Sequence, residues 1–270
     1  MVTPSVTGST KWYDTLRARP PAALHGARLQ AYGRDEYVGQ ESFMTAGEIL
    51  ALVSAMGVTA GALVLDLCCG TGGPALYIAQ ETRCRIVGVD LSRQGINLAQ
   101  SMAKAKELAT IATFLVADAS QLPLVADFDA ILLLETMLAI RDKVRLFGEI
   151  RRLLRPGKRF GLTLEEGRPL SRTERRCIPG GESIWLITEN DLMALLRVPS
   201  FHLCCKEDHT AAHAAVARRM ATTLSCRREA IAAEIGTDLT DEMVAAHWQW
   251  VEWLDTKRVR KLALVVERMG

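Results

Sequence analysis

The chain has 270 residues, a formal net charge of +2, 49% hydrophobic residues and a mean hydropathy of +0.10. These values exclude a disordered chain and give no reason to expect a polyanionic partner. No uncharged apolar run approaches the roughly 20 residues that a membrane span needs, and the first ten residues lack a signal-peptide pattern. We therefore expect a globular, cytoplasmic protein that binds neither nucleic acid nor a membrane.

The first 56 residues predict helices that lie over the rest of the chain. Residues 11–32 carry apolar positions interrupted by Pro20 and Pro21, which indicates two short helical pieces. A polar and aromatic turn at 37–43 then precedes an amphipathic helix from Met44 to Met56.

Residues 62–165 alternate strands with helices and form the predicted cofactor-binding core. Strands are expected at 63–67, 85–90, 113–117, 130–134 and 157–164, and helices at 93–108 and 142–154. Uniform Val, Ile and Leu content is typical of strands buried on both faces. Right-handed crossovers between them predict a Rossmann-like, doubly wound α/β sheet with ligands at the carboxyl ends of the strands.

The regular alternation of strands and helices ends after residue 165. Residues 166–187 are rich in Arg, Glu, Gly and Pro and predict a lid loop. A helix at 189–196 and a sixth strand at 201–206 follow, then helices at 211–235 and 241–254 inside a cap insertion spanning 211–255, and a last strand at 258–267. We expect the cap to cover an acceptor pocket, and the whole chain, 1–270, to be one domain.

Charged and sulfur-containing residues in this part of the sequence suggest no further site. The basic run Lys257–Lys261 is expected to be a strand with outward charges. The seven cysteines include two adjacent pairs but no Cys-x-x-Cys, and each pair falls in a predicted buried strand or strand end. The thiols are therefore expected to be reduced and to act as small apolar packing residues, and no metal site is predicted.

The functional prediction depends on the stretch from Val64 to Ala75. A buried strand ends at Leu67, three glycines follow, and Pro74 begins a helix. A helix N-terminus behind a glycine turn brings a ligand against bare backbone amides. Asp66, four residues before Gly70, is poorly suited to a pyrophosphate and suits a cationic group such as an α-amino group. The sequence therefore predicts a nucleoside site without a phosphate.

This stretch, together with residues 88–92, 116–119, 128–135 and 154–157, resembles the class I S-adenosylmethionine-dependent methyltransferases. The resemblance is close over about residues 45–165. It implies a seven-stranded sheet with an antiparallel last strand and S-adenosylmethionine as the cofactor. Cys68 stands where the family usually has glycine, and we expect the backbone there to adopt a φ that cysteine can reach.

The resemblance implies a set of residues that contact the cofactor: Tyr37, Gln40, Asp66, Cys68, Gly70, Gly72, Asp90, Leu91, Asp118, Ala119 and Leu134.

Within this set, Asp90 would accept from both ribose hydroxyls and Leu91 would pack on the adenine. Asp118 would accept from the adenine amino group while the backbone of Ala119 donates to the ring. Asp66 and the backbone around Cys68 and Gly70 would hold the methionine moiety. Tyr37 and Gln40 are candidates for the same end of the cofactor, and a packed N-terminal strap is the alternative role for both.

A dinucleotide site is the alternative for the glycine loop. The pattern Gly70-x-Gly72-x-x-Ala75, with Asp90 twenty residues after Gly70, also satisfies that fingerprint. A nicotinamide site requires neither Asp66 nor the element at Asp118, which favours the methyltransferase interpretation.

Three residues are candidates for catalysis. Glu135 ends the fourth strand and Glu165 the fifth, where a carboxylate could take a proton from the acceptor or orient it. Glu135 could equally contact the cofactor's ammonium. His209 could act as a base near neutral pH, although a lone histidine more often packs. Trp185, Trp248, Trp250 and Trp253 suggest an aromatic-lined cavity.

The sequence therefore predicts methyl transfer to a small, hydrophobic or aromatic metabolite through nitrogen, oxygen or carbon, by a protein that could form a homodimer. Two alternatives stay open. The chain could bind S-adenosylmethionine without transferring its methyl group, as a sensor for example, or it could be an NAD-dependent oxidoreductase.

Overall fold

Strands from both halves of the chain form one mixed sheet in the computed structural model, which describes residues 16, 17 and 21–270 apart from 126, 179 and 199. The strands are β1 (Leu63–Leu67), β2 (Arg85–Asp90), β3 (Ala112–Val116), β4 (Phe128–Leu133), β5 (Leu154–Glu166), β6 (Phe201–Asp208) and β7 (Arg260–Arg268). Their order is β3-β2-β1-β4-β5-β7-β6. Pairing is parallel from β3 to β5, and β7 runs antiparallel to both of its neighbours. The predicted seven-stranded sheet with an antiparallel last strand is confirmed.

The helices alternate with these strands along the chain. They are α1 (Ala22–Tyr32), α2 (Ala46–Ala55), α3 (Gly73–Thr82), α4 (Arg93–Ala105), α5 (Lys143–Leu153), α6 (Arg172–Cys177), α7 (Glu189–Arg197), α8 (Thr210–Cys226), α9 (Arg228–Ile235) and α10 (Thr237–Asp255). Helices α2, α3 and α4 pack on one face of the sheet, and α5 and α7 pack on the other. Both faces are therefore covered, as the uniformly apolar strands require.

A third apolar cluster lies outside the two faces of the sheet. Leu24 and Ala27 of α1 pack there with Met220 and Leu224 of α8 and with Val251 of α10. The N-terminal helix and the cap insertion thus share one small core. The first predicted helical piece falls almost wholly on residues outside the described ranges.

Several predicted boundaries shift in the structure. The cap contains three helices instead of two: the helix predicted at 211–235 divides at Arg227, and the one predicted at 241–254 begins at Thr237. The predicted lid loop contains helix α6, which begins at a capping box formed by Ser171 and Glu174. Strand β5 begins at Leu154, three residues before the predicted start.

Two expectations about individual side chains are also corrected. Cys204 is exposed, because β6 is an edge strand with one open face, although all seven cysteines are free as expected. Lys261 was expected to point outward but is only 2% exposed, because β7 lies inside the sheet between β5 and β6. Over the described ranges, no helix has the length and apolar content needed to cross a membrane.

Candidate active site

The loop between β1 and α3 brings backbone amides to the carboxyl end of the sheet. Cys68 has φ +59°, in the left-handed region, so this cysteine takes the conformation that a glycine would hold more easily. The loop is not displaced, because the backbone N–H of Cys69 donates to the carbonyl of Val89 at 3.0 Å. Gly72, at φ +77°, then caps α3. The cysteine is thus accommodated by backbone strain at an otherwise regular loop.

Asp66 is a buried carboxyl group with no cationic side chain paired to it among the described residues. Its side chain is 2% exposed and makes no hydrogen bond within the described part of the chain. Burial, together with the charge of Asp90, raises the pKa of Asp66 to about 8. A ligand ammonium placed beside this carboxyl would relieve that penalty. The residues present therefore fit the methionine end of S-adenosylmethionine.

Asp90, at the end of β2, organises the same loop. Its Oδ2 accepts from the backbone N–H of Gly70 at 2.9 Å, and its Oδ1 accepts from that of Ser92 at 2.8 Å. The guanidinium of Arg17 lies 3.7 Å from Oδ1 and also pairs with Glu41. Asp90 thus holds the glycine loop against β2 and stands where a ribose would meet the strand ends. Residue type and position both suit the predicted ribose contact.

The expected adenine-binding residues follow β2 and β3. Leu91 is 49% exposed, which leaves its side chain free to cover a flat ring. Asp118 uses Oδ1 to accept from both the backbone and the hydroxyl of Ser120, at 2.8 and 2.7 Å. Ala119 is buried beside it. Leu134, at the end of β4, is half-buried against the core.

The structure gives Tyr37 and Gln40 structural partners. Tyr37 packs its ring on Tyr32, with centroids 5.4 Å apart, within the N-terminal layer. The buried side-chain amide of Gln40 accepts from Val38 N–H at 2.7 Å and donates to the carbonyls of Glu36 and Met44, each at 2.8 Å. These contacts favour the packed-strap alternative, in which Gln40 shapes the turn.

Two of the predicted catalytic residues meet at one lysine. Lys261 Nζ lies 2.5 Å from Glu135 Oε2 and 2.6 Å from Glu165 Oε1, and all three side chains are at most 4% exposed. Burial alone would lower the pKa of Lys261, but the two carboxylates outweigh it and raise the pKa. Burial raises the pKa of Glu165 to about 7 despite Lys261, whereas Lys261 and His213 overcome burial and lower the pKa of Glu135.

This ion cluster keeps two acceptor atoms unused. Oε1 of Glu135 and Oε2 of Glu165 are buried and have no hydrogen-bond partner within the described residues. Glu135 also has φ +54°, a strained conformation of the kind that collects at functional sites. The geometry therefore presents two carboxylate oxygens, on neighbouring strands, that a ligand can engage.

Aromatic rings lie beside the cluster. The Lys261 ammonium is 5.2 Å from the ring centroid of Phe43 and 5.3 Å from that of Trp250, and these two rings meet edge to face. Trp253 packs edge to face on Trp250. The other two tryptophans lie apart from these rings: Trp185 stacks under arginine side chains, and Trp248 is 41% exposed. Of the four predicted tryptophans, Trp250 therefore lies beside the lysine that holds the carboxylates.

His209 lies in a neighbouring cluster instead of at the carboxylate pair. Its Nδ1 is 2.8 Å from Glu48 Oε1, and its Nε2 is 3.0 Å from Glu207 Oε2. His213, one turn later, places Nε2 at 3.2 Å from Glu48 Oε2 and Nδ1 at 3.8 Å from Glu135 Oε2. The imidazole next to the carboxylate pair is therefore His213, not the predicted His209.

Sequence reasoning missed Lys261, Glu48 and Phe43 as members of these clusters. One available signal was the position of Lys261 directly before the apolar run 262–266, because a lysine on a buried strand needs carboxylate partners. For Glu48 the sequence indicates only a capping box with Thr45 at the start of α2.

The order of the strands and the acids at their carboxyl ends define a Rossmann-like, S-adenosylmethionine-binding architecture. Residues 64–157 match the family model described as a methyltransferase domain. This segment is therefore similar to methyltransferase domains, and the similarity supports S-adenosylmethionine over a dinucleotide as the cofactor.

Named relatives are methyltransferases, and a solved structure shares the fold. Methyltransferase GfsG of Streptomyces halstedii is 35% identical over 112 residues, which are 41% of this chain and 40% of that protein. The O-methyltransferase rstn1 of Aspergillus nomiae is 35% identical over 145 residues, 52% of this chain and 64% of that protein. The chain thus spans about half the length of these relatives. The crystal structure of the cyclase SpnF shares the fold, with a TM-score of 0.78 over 100% of this chain and 99% of that one, at 20% identity.

Proposed function

We propose that this protein transfers a methyl group from S-adenosylmethionine to a small, hydrophobic or aromatic metabolite. The observation that carries the proposal is the pair of buried, unpartnered oxygens, Glu135 Oε1 and Glu165 Oε2, fixed by one lysine at the carboxyl end of the sheet. A protein that only senses its cofactor needs no pair of free carboxylate oxygens next to aromatic rings. Curated relatives are named as O-, N- and sterol C-methyltransferases, so oxygen, nitrogen and carbon acceptors all stay open.

The cofactor, when bound, supplies an electrophilic methyl group on a sulfonium. In the proposed site Asp66 holds the ammonium of its methionine moiety and Asp90 its ribose, while Leu91, Asp118 and Ala119 hold the adenine. Fixed alignment and exclusion of water supply much of the rate in such a displacement. The buried strand ends and the cap provide both.

The acceptor side of the proposal assigns different tasks to the two glutamates. Glu165 has a pKa of about 7, so near neutral pH its Oε2 can take the proton of a hydroxyl or amine. Glu135, on a strained backbone and tied to Lys261, orients the acceptor through Oε1. Phe43 and Trp250 give the pocket an apolar, aromatic side.

The test measures binding and transfer separately. Calorimetry with S-adenosylmethionine on the wild-type chain should show one site, and Asp90→Ala should abolish binding while circular dichroism stays unchanged. Incubation with methyl-labelled cofactor and a panel of phenols, hydroxylated polyketides and secondary amines should give a labelled product. Glu165→Gln should bind the cofactor normally and lose at least tenfold in turnover.

A second candidate function is cofactor binding without methyl transfer. Normal cofactor affinity together with no transfer to any acceptor of the panel would favour it. No cofactor binding by the wild-type chain would overturn both candidates. The predicted cytoplasmic location and homodimer stay predictions.

A further inference from the structure

Two helices bring a carboxylate and two imidazoles together beside the cofactor crevice. Glu48 lies on α2, His209 is the N-cap of α8, and His213 lies one turn further along α8. One ligand atom from each of the three residues lies within 4.8 Å of the other two. His213 is 2% exposed, and Glu48 and His209 are 15 and 16% exposed. We call these three residues the Glu48–His209–His213 cluster.

One imidazole of the cluster has a second carboxylate on its far nitrogen. His209 faces Glu48 with Nδ1 and Glu207 with Nε2, at 2.8 and 3.0 Å. A carboxylate on the far nitrogen of a metal-bound histidine fixes its tautomer and ring orientation. His213 faces Glu48 with Nε2, while its buried Nδ1 lies 3.8 Å from Glu135 Oε2 and has no hydrogen-bond partner among the described residues.

The charges around the cluster favour a cation. Three carboxylates, those of Glu48, Glu207 and Glu135, surround two imidazoles, and Lys261 offsets Glu135 alone among them. Without a metal, protons on the imidazoles supply the positive charge that faces these carboxylates. A divalent ion bonded to the three inner ligand atoms would take the place of protons there and leave the Nε2–H of His209 to donate to Glu207.

We propose that the Glu48–His209–His213 cluster binds one divalent transition-metal ion of the zinc class. Two imidazole nitrogens and a carboxylate form a set that suits zinc and leave a position open for water. A narrow cleft lined by Glu48, Ala51, Glu207 and Cys205 leads to the cluster from the surface and gives the ion a path. This site lies outside the cofactor crevice.

The metal would join α2 to the start of α8. Helix α2 packs on the sheet and follows the turn shaped by Gln40, while α8 begins the cap. A bond from both helices to one ion fixes the cap against the sheet next to Glu135. The proposed role is structural, and it does not require the metal to touch the acceptor.

Metal binding is tested on the full chain after removal of metal with a chelator. Zinc is titrated against a competing chromophoric chelator, and we expect one ion per chain. Glu48→Gln and His213→Asn should each weaken binding by about 100-fold. Glu48→Gln is the sharper variant, because glutamine can still complete the capping box with Thr45 and so preserves α2.

The controls separate this site from stray histidines and thiols. His202→Asn alters an exposed histidine on β6. Cys205→Ser removes a thiol near the cluster, because Cys205 Sγ lies 3.9 Å from Glu207 Oε1. Both should bind zinc as the wild type does. X-ray absorption of the wild-type zinc complex should show nitrogen and oxygen ligands with imidazole scattering, which needs no variant to fold.

Three outcomes would overturn the proposal. They are the absence of saturable 1:1 zinc binding, an affinity unchanged in Glu48→Gln and His213→Asn, or sulfur in the first shell of the bound zinc. A rise of the unfolding temperature with zinc in the wild type, absent in Glu48→Gln, would support it.

Discussion

Cys68 and Glu135 follow neighbouring parallel strands, β1 and β4, and both hold a left-handed backbone, at φ +59° and +54°. Neither is glycine, so each conformation costs roughly 1–2 kcal/mol relative to the extended backbone. Both stand at the crevice between the two strands, where ligands of open α/β sheets bind. The strain thus lies at the proposed meeting point of cofactor and acceptor.

The first prediction concerns the residue at position 68. Cys68→Gly should leave the free energy of unfolding within about 1 kcal/mol of wild type, because relief of strain offsets the greater freedom of glycine in the unfolded chain. Cys68→Val should lose about 2 kcal/mol or more, since a β-branched residue fits this φ worst. Urea unfolding of both variants checks this, and equal stabilities would contradict it.

The second prediction uses a matched pair of glycines. A Cβ on Gly73 would clash with the carbonyl oxygen of Val38 and come within 2.8 Å of Gly39 Cα, whereas Gly148 in α5 has nothing within 4 Å. Gly73→Ala should therefore displace the turn that Gln40 shapes and destabilise the protein by about 1–3 kcal/mol. Gly148→Ala should be neutral or stabilise by up to about 1 kcal/mol.

Thermal unfolding of the two alanine variants provides the measurement. The same preparations titrated with S-adenosylmethionine should show weaker binding only for Gly73→Ala, if the turn closes over the cofactor. A stable Gly73→Ala with normal affinity would mean that the turn moves freely away from α3.

The sheet and the positions of Asp66 and Asp90 at its carboxyl edge could be predicted from the sequence because their signals are local. Apolar strands with an aspartate at or next to the last residue define their own positions at that edge. The acceptor side could not be predicted in this way. Glu135 and Lys261 are separated by 126 residues, and only the insertion of β7 between β5 and β6 brings them together.

The two histidines also show that the sequence does not predict contacts between distant elements. His209 and His213 share one helix turn, so their proximity to each other follows from the sequence. Which of them faces Glu135 depends on the angle at which α8 leaves β6, and no local pattern encodes that angle. The structure therefore brings His213, and not the predicted His209, next to Glu135.

The third prediction is that cofactor binding releases a proton from Asp66. In the free protein the pKa of Asp66 is about 8, so at pH 6 and 7 the carboxyl is mostly neutral, whereas the ligand ammonium favours the ionised form. Affinity should rise by up to about tenfold per pH unit from pH 6 towards 8 and fall at higher pH, where the ligand ammonium loses its own proton.

Calorimetry in two buffers of different protonation enthalpy measures the released proton directly. Asp66→Asn should bind weakly and without this pH dependence, while Asp118→Asn should bind weakly but keep it. A wild-type affinity that is flat from pH 6 to 8 would show that Asp66 is not the partner of the ammonium.

The last prediction concerns Glu165, the second of the two carboxylates that pair with Lys261. The pKa of Glu165 is about 7 in the folded protein and about 4.5 when it is free, so between these values the native state binds more protons than the unfolded state. Stability contributed by this group is therefore present at low pH and is lost as the pH rises from 4.5 to 7, by up to about 3 kcal/mol. Glu165→Gln removes that dependence and leaves Lys261 paired with Glu135 alone.

Denaturant unfolding of wild type and Glu165→Gln at pH 5, 6, 7 and 8 should show the wild type losing stability relative to the variant as the pH rises. Lys261→Met supplies the opposite change: it leaves two buried carboxylates without a cation and should cost about 3–5 kcal/mol near pH 8. Parallel stability curves for wild type and Glu165→Gln would mean that Glu165 is already ionised well below neutral pH. In that case it could not serve as the proton acceptor that the proposed methyl transfer assigns to it.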